Sequence, residues 1–513
     1  MPRRVRSTGT FALAIVALLS GRAAAAEFAR DEAVRMETKT IAVKGTPMVA
    51  IDNQNGTLRI KTHQRSEVRI DAVFRVSAES RDVANDFVAG MHLDVTEGAS
   101  RIAVRTTIPD SSLRRFRNLG FVIDVDVLMP ATLPLDARNR FGDTSVSGLG
   151  AGATINNGNG LLTATDGRGT YRLENRFGDI DALRLQGDVT VISANGSILA
   201  DTIGGALSAS NRFGDVDVKG VQKDVVIDNA NGSITLATVR GGARLTTQFG
   251  AVTAQSVQGG LQVSSANGSI RASDVDGASV LKTTFGAIVV DRLRGSVTIQ
   301  SQNGEVRGAG IGGDLTVTNT FGGVTLRDVA GRLEVRNQNG AIAVGASTKS
   351  GVCRAMSLST TFGGIALYLA GGGGYDLTAR TSFGSIRSDI PIVVRGTLGG
   401  RTPADALTGT IGTGGCALQL IGSNGNITIQ PGAGPEVDLQ VPVGGRFPRP
   451  PRPPRPPRPP RPGFDSASPP TPPTPPTPPT PPTPATPATP PTPPAPPTPP
   501  TPPTPPRPPR PPR

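Results

Sequence analysis

Written in lines of eighteen, the middle of the chain sorts its hydrophobic residues into columns. The frame is a glycine that recurs without a slip from Gly142 and Gly160 to Gly322 and Gly340, with looser copies at Gly363, Gly384 and Gly425 and an early one at Gly56. Two residues after it stand Ile180, Ile198, Val216, Ile234 and Val252. Five before it stand Leu173, Val191, Ile227 and Leu245, and seven before it Val189, Leu207, Val225 and Leu261. Seven after it come Leu185, Ile203, Val221 and Val239. Positions minus seven and minus five differ by two, the strand period, and Ser, Thr, Asp, Arg and Lys fill the places between. A second glycine punctuates the middle of most lines, as at Gly187, Gly205 and Gly241. Each line therefore predicts two short strands and two turns.

One such unit cannot bury its apolar face alone, whereas stacked units share a continuous core. The predicted fold class is all-β: a parallel β-solenoid (β-helix) of 18- or 36-residue repeats. The choice of length stays open because the residue before the glycine alternates. It is Phe at 141, 177, 213, 249, 285 and 321 and Asn at 159, 195, 231, 267, 303 and 339. A 36-residue coil would stack Phe on Phe; an 18-residue coil would alternate Phe with Asn. The phenylalanines are expected to fill a corner of the core. Three residues before the glycine runs a row of Asn, Ser and Thr, such as Asn211, Asn229 and Thr247, suited to a hydrogen-bonded ladder inside a corner.

Residues 27–136 are less regular. They hold alternating runs (VRIDAVFRV from Val68, RIAVRT from Arg101, FVIDVDVL from Phe121) and one helix candidate over Ser80–Met91, with Ser80 or Asp82 near its N-cap. This reads as a β-rich cap over the first open edge of the repeats at 137–430. A linker, 431–445, leads to a disordered tail, 446–513, that carries 38 of the 48 prolines. That tail should sample polyproline II, with three residues per turn.

The 513 residues carry a formal charge of +13, but unevenly. Residues 1–26 supply +4 and the tail +8 (nine Arg less Asp465), so 13 − 4 − 8 leaves +1 for the body. The body is thus not a basic nucleic-acid-binding domain, and no nucleic acid is expected as partner. Residues 1–26 read as a signal peptide: Arg3, Arg4 and Arg6, the apolar run Phe11–Leu19, and Ala24-Ala25-Ala26 before a cut. The apolar run is shorter than the ~20 residues a spanning helix needs. The expectation is export to the periplasm, outer surface or medium, with no transmembrane segment once the leader is removed. Cys353 and Cys416 occupy repeat-equivalent places with a repeat between them, and two strand steps exceed disulfide reach. The irregular stretch 391–415 can fold back, so a disulfide and two small buried side chains both stay open.

Chemistry is sparse. His63 and His92 are the only histidines, and no zinc pattern, P-loop or nucleophile elbow is present. Asp143, Asp179 and Asp215 recur at 36 residues as a possible carboxylate row, but Ala251, Ala287 and Gly323 take the place further on, which favours turn solvation. Arg140, Arg176 and Arg212 form a comparable column read as a solvated edge, and Asn195, Asn231 and Asn267 open N-G-S sequons that turn geometry already explains. No catalytic residue, metal site or cofactor is expected. In the tail, Arg449, Arg452, Arg455, Arg458 and Arg461 are spaced by three and share one edge of a polyproline helix, a candidate contact for envelope polyanions.

The units NGSI, FGDI and FGGV, each followed by a strand and a second glycine turn, resemble the bacterial putative-adhesin family of β-strand repeats, a domain of unknown function. The resemblance spans about 50–430. It implies a β-solenoid, export, and adhesive or scaffolding contact with envelope glycans or polyanions, without catalysis. A carbohydrate-active β-helix enzyme and a self-assembling envelope element are the alternatives.

Overall fold

A computed structural model describes residues 31–109, 119–346, 353–371, 373–394 and 405–440. The leader 1–26 and the tail 446–513 lie outside the described residues.

One coil takes eighteen residues. Tyr171 pairs in parallel with Val189, Val189 with Leu207 and Leu207 with Val225, and on the opposite sheet Ile180 pairs with Ile198 and Ile198 with Val216. Phe177 therefore lies beside Asn195, and Asn195 beside Phe213. Like does not stack on like, which settles the coil length.

The coil around Gly232 shows how sequence makes this shape. On its first strand, Val225–Asn231, residues Val225, Ile227 and Asn229 are buried while Val226 and Asp228 face out. Gly232 turns the corner at φ 133°, and a Cβ there would meet the carbonyl oxygen of Gly214 at 2.1 Å. On the second strand, Ile234–Val239, residues Ile234 and Leu236 point inward. Val239 is an odd number of residues from Ile234, so a regular strand would turn it outward. Thr238, at φ 59°, absorbs the difference: its left-handed backbone swings Val239 back into the core. Thr202, Ser256 and Arg292 do the same in their coils. The column at plus four from the glycine, Ala182, Ala200, Val218, Leu236 and Ala254, is buried as well and completes the inner face.

The phenylalanines depart from expectation. Phe141, Phe177, Phe213, Phe249, Phe285 and Phe321 are about half exposed rather than packed in a core corner. The corner is already occupied. Asn211 donates from Nδ2 to the carbonyls of Gly196 (3.1 Å) and Gly214 (3.0 Å), and Asn229 to those of Gly214 (3.1 Å) and Gly232 (3.0 Å). The polar ladder thus sews successive glycine turns together, and the residue before each glycine is left outside. Direct rungs between amides are few, as at Asn53 and Asn139 (3.2 Å).

The ends are not wound in sequence order. With β1 (Asp31–Ala42), β2 (Met48–Asn53), β3 (Leu58–His63), β4 (Glu67–Ala78), α1 (Arg81–Ala89), β5 (His92–Glu97), β6 (Arg101–Thr107), β7 (Gly120–Pro130), β8 (Leu135–Asn139) and β9 (Thr144–Ser147), the outermost coil is β6–β7. The earlier β2–β3 is filed between it and β8–β9. Antiparallel strands then close the edges: β4 and β1 beyond β7, and β5 beyond β6. Helix α1 is capped by Ser80, whose side chain accepts from the Val83 N–H, and buries Ala84, Phe87 and Val88. The outer strand β1 is studded with Glu32, Arg35, Glu37 and Lys39, charges that discourage further pairing.

The C-terminal end repeats the device. The last coil, Cys416–Asn424 with Ile427–Pro431, slots between Met356–Phe362 with Ile365–Leu369 on one side and Tyr375–Phe383 with Ile386–Ser388 on the other. Ala406–Ile411 and Ile392–Val394 add antiparallel strands to one sheet. This filing brings Cys353 to Cys416, and they form a disulfide with Cα atoms 5.8 Å apart. Beyond Pro431 the chain doubles back over the outer face. Asp438 pairs with Arg307 (3.7 Å) and the Leu439 carbonyl accepts from Arg271. Val289, the outward residue between those two arginines, is covered, with 1% exposed.

Candidate functional site

The surface, rather than a cleft, carries the distinctive features. The corner just before the first glycine forms a ridge along every coil but the outermost, β6–β7, where Val122 takes the place. Followed through space, its residues are Asn55, Phe141, Asn159, Phe177, Asn195, Phe213, Asn231, Phe249, Asn267, Phe285, Asn303, Phe321, Asn339, Phe362, Asn424 and Phe383. The alternation never breaks, although it crosses both regions where coils are filed out of order. In sequence Phe362 is followed by Phe383; in space Asn424 comes between. That missing Asn marks the refiled last coil once the alternation in space is known.

Every phenylalanine of the ridge is between 48% and 75% exposed. The asparagines, Asn267 excepted, are half-buried. Asn195, Asn231 and Asn339 donate to backbone carbonyls of the preceding coil at 3.3–3.5 Å, which lays their side chains along the strand ends. The ridge is a row of projecting rings with flat amide floors between them. Strands stack ~4.8 Å apart, so the rings recur every ~9.6 Å.

The flanks change along the row. Arg140, Arg176 and Arg212 stand exposed beside the first three phenylalanines, as the sequence suggested. Asp143, Asp179 and Asp215 do not form a cation row. Each Oδ1 accepts from the backbone N–H of the next coil, at Leu161 (2.8 Å), Ser197 (2.8 Å) and Ser233 (2.9 Å), so these carboxylates cap turns. Among the described residues no group of three or more His, Cys, Asp and Glu could hold a metal ion.

A shallow cavity of about 330 Å³ lies on the outer face of the N-terminal coils. Its charged lining is Asp52, Asp94, Arg101, Arg105, Asp136 and Arg138. Arg105 pairs with Asp52 (3.4 Å), and Asp136 with Arg101 (3.4 Å) and Arg138 (3.9 Å). Three guanidinium groups against three carboxylates leave a polar patch with its charge cancelled. His63 and His92 sit apart from it: the His63 Nδ1 accepts from the Arg65 N–H (2.9 Å), and the His92 ring meets the Gly90 carbonyl (3.2 Å). On the opposite sheet, burial and the neighbouring Asp179 push the Asp181 carboxyl above its ordinary range. It is a single raised acid on the outward side of strand Ile180–Leu185.

Arg449, Arg452, Arg455, Arg458 and Arg461 lie outside the described residues. Among the described residues no helix is long and apolar enough to cross a membrane.

No family model matches the chain, and no curated protein matches it. It is similar to solved structures of a putative cell adhesion protein from Clostridium sporogenes (9% identical, covering 78% of this chain and 100% of that one, TM-score 0.17) and of a putative adhesin from Bacteroides fragilis (15% identical, 52% and 97% covered, TM-score 0.18). A third is a putative adhesin from Parabacteroides merdae (10% identical, 64% and 96% covered, TM-score 0.17). At such TM-scores the solenoid rests on this chain's own strand register.

Proposed function

We propose that this chain is an exported, non-catalytic protein of the bacterial cell envelope that works by surface contact, as an adhesin-type binder or scaffold. The observation that carries the reading is the eighteen-residue coil itself. It converts a repeated sequence into long rows of outward side chains, an extended surface suited to polymeric or cellular partners. The leader-like 1–26 supports export. The arginine edge at Arg449, Arg452, Arg455, Arg458 and Arg461 would hold the protein to envelope polyanions or glycans by charge.

Cell fractionation tests this reading. The full chain should appear outside the cytoplasm with 1–26 removed, and deletion of 446–513 should release it from the envelope. Salt should release the intact protein in the same way, because contacts between exposed charges are screened at high ionic strength. Cytoplasmic retention of the full chain would refute export, and salt-insensitive retention would refute the charge-based anchor. A glycan and polyanion screen with and without the tail separates binding by the coils from binding by the arginines.

A further inference from the structure

The ridge is complementary to itself, and we propose that it is a homodimer interface in which two copies lie antiparallel and interdigitate their phenylalanines. The inference does not depend on export or on the tail; it concerns only what the coils present.

Three observations carry it. The first is parity. The ladder has sixteen rungs, begins with Asn55 and ends with Phe383. A strictly alternating row that starts with one residue type and ends with the other reads as its own complement when reversed. Laid antiparallel at full overlap, every Phe of one copy faces an Asn of the second, with the twofold axis between the rungs of Phe249 and Asn267. Such a contact is isologous and closes as a dimer.

The second is spacing. Rings recur every ~9.6 Å along one ridge, so a ring inserted midway lies ~4.8 Å from each neighbour. That falls within the ~4.5–7 Å centroid separations aromatic pairs prefer. The amide floors leave the slots open, since the asparagines lie along their own strands. A phenylalanine offers ~200 Å² of surface, so eight half-exposed rings bring roughly 800 Å² per copy. This is the size of a standard stable interface.

The third is the flanks. Arg140, Arg176 and Arg212 border the first half of the ridge; Gln248, Thr284 and Thr320 take those places in the second. Antiparallel pairing sets the charged half against the neutral half, whereas parallel pairing would set Arg against Arg. End-to-end stacking is the poorer route to assembly, because antiparallel strands cover both sheets at the N-terminal end and one sheet at the C-terminal end.

Sedimentation of the full chain over a range of concentrations tests the proposal. A monomer–dimer equilibrium is expected. The triple variant Phe213→Ser, Phe249→Ser, Phe285→Ser should weaken it by at least about a hundredfold without shifting the melting curve at concentrations where the parent is monomeric, since hot-spot aromatics dominate such contacts and these rings lie outside the core. Asn231→Phe with Asn267→Phe is the sharper variant. It adds apolar surface but fills the slots, so interdigitation predicts weaker dimers where unspecific stickiness predicts stronger ones. Maleimide cross-linking of Asn267→Cys, beside the proposed axis, should join two copies. Asn159→Cys should not, because its copies would lie eleven rungs, ~53 Å, apart. A chain that stays monomeric, dimers indifferent to the serine variants, dimers strengthened by the added phenylalanines, or equal cross-linking at Asn159 would each overturn the proposal. So would phenylalanine-dependent capture of a β-linked glycan or a proline-rich peptide by a monomer, which would assign the ridge to that occupant.

Discussion

Cys353 is bonded to Cys416 across 63 residues because the last coil is filed beside strand Met356–Phe362 and not at the end of the stack. The same filing puts Asn424 between Phe362 and Phe383. The covalent link and the unbroken ridge are thus two results of one topological choice, and the disulfide locks that choice in place.

The disulfide should matter most to the C-terminal coils. Closing a loop of this length in the unfolded chain is worth about 4 kcal/mol on the chain-entropy account. In a solenoid each coil touches only its neighbours, so the loss should be local before it is global. Cys353→Ser with Cys416→Ser is expected to expose 373–431 to proteolysis well below the temperature at which 135–346 melts. Mass mapping of the fragments checks this, and uniform resistance along the chain would show that the last coil holds its place without the bond.

Ile234 is fully buried, with Val216 and Val252 as its neighbours in the same column. Ile234→Asp puts an unpaired charge where no partner is available and should cost well over ~4 kcal/mol. Ile234→Val removes one methyl group and should cost only about 0.5–1.5 kcal/mol. Thermal melting of the pair measures the inward assignment. Near-equal melting temperatures would mean the column does not face the core.

The inward columns, the strand pairs and the stacking were legible in the sequence because burial repeats at fixed offsets from an unmistakable glycine. The orientation of the phenylalanines was not. Alternation from Ile227 and Asn229 runs on to the residue before the glycine and suggests an inward side chain, but the Asn229 amide spans the corner and closes it. The role of Thr238 was also hidden, since nothing in a threonine announces a left-handed backbone. The asparagine at 424 was visible in the sequence, but its meaning depended on knowing that Phe must alternate with Asn in space.

Glycine substitutions should have opposite signs at two neighbouring kinds of corner. Thr238 holds φ 59°, a conformation that costs a residue with a Cβ ~1–2 kcal/mol. Thr238→Gly relieves that cost against ~0.5–1 kcal/mol of added chain entropy and should be neutral to stabilising by up to ~1 kcal/mol. Gly187→Ala should destabilise instead. A Cβ there would lie 1.9 Å from the Gly169 carbonyl oxygen, so the two coils would have to part. Denaturant midpoints of both variants check the pair of signs.

Asp124 gives the N-terminal end an acid-sensitive tie. Burial works against its charge, but the Thr57 hydroxyl (2.6 Å), the Thr57 N–H (2.9 Å) and the Arg75 guanidinium outweigh it and hold the carboxyl below its ordinary value. A carboxyl depressed by folding contributes stability that is present above the unfolded value of ~3.9 and fades as pH falls through the lower folded value. Asp124→Asn should therefore be less stable than the parent at pH 7, by roughly 1.5–3 kcal/mol for hydrogen bonds to a charged group. The gap should narrow only below about pH 4. Melting curves from pH 7 to pH 2 test this; a gap that closes already near neutrality would mean another group carries the dependence.

Ser279 interrupts an otherwise apolar column. Leu261 lies on one side of it and Val297 on the other, it is 1% exposed, and its hydroxyl has no hydrogen-bond partner. A buried hydroxyl without a partner costs about 1–3 kcal/mol. Valine occupies the same place in the next coil and carries the branched shape a strand accepts. Ser279→Val should therefore raise stability by ~1–2 kcal/mol through removed desolvation and added apolar burial. The same exchange at Ser193 should not, although that hydroxyl is also unpartnered. Ser193 belongs to the corner row, between Asn175 and Asn211, whose amides sew the turns. A branched apolar group there would press on those amides and offset its own gain. Comparing the two variants in one melting experiment distinguishes an orphaned hydroxyl in a greasy column from a small residue kept for the polar corner; equal gains at both sites would mean the corner row makes no demand on its members.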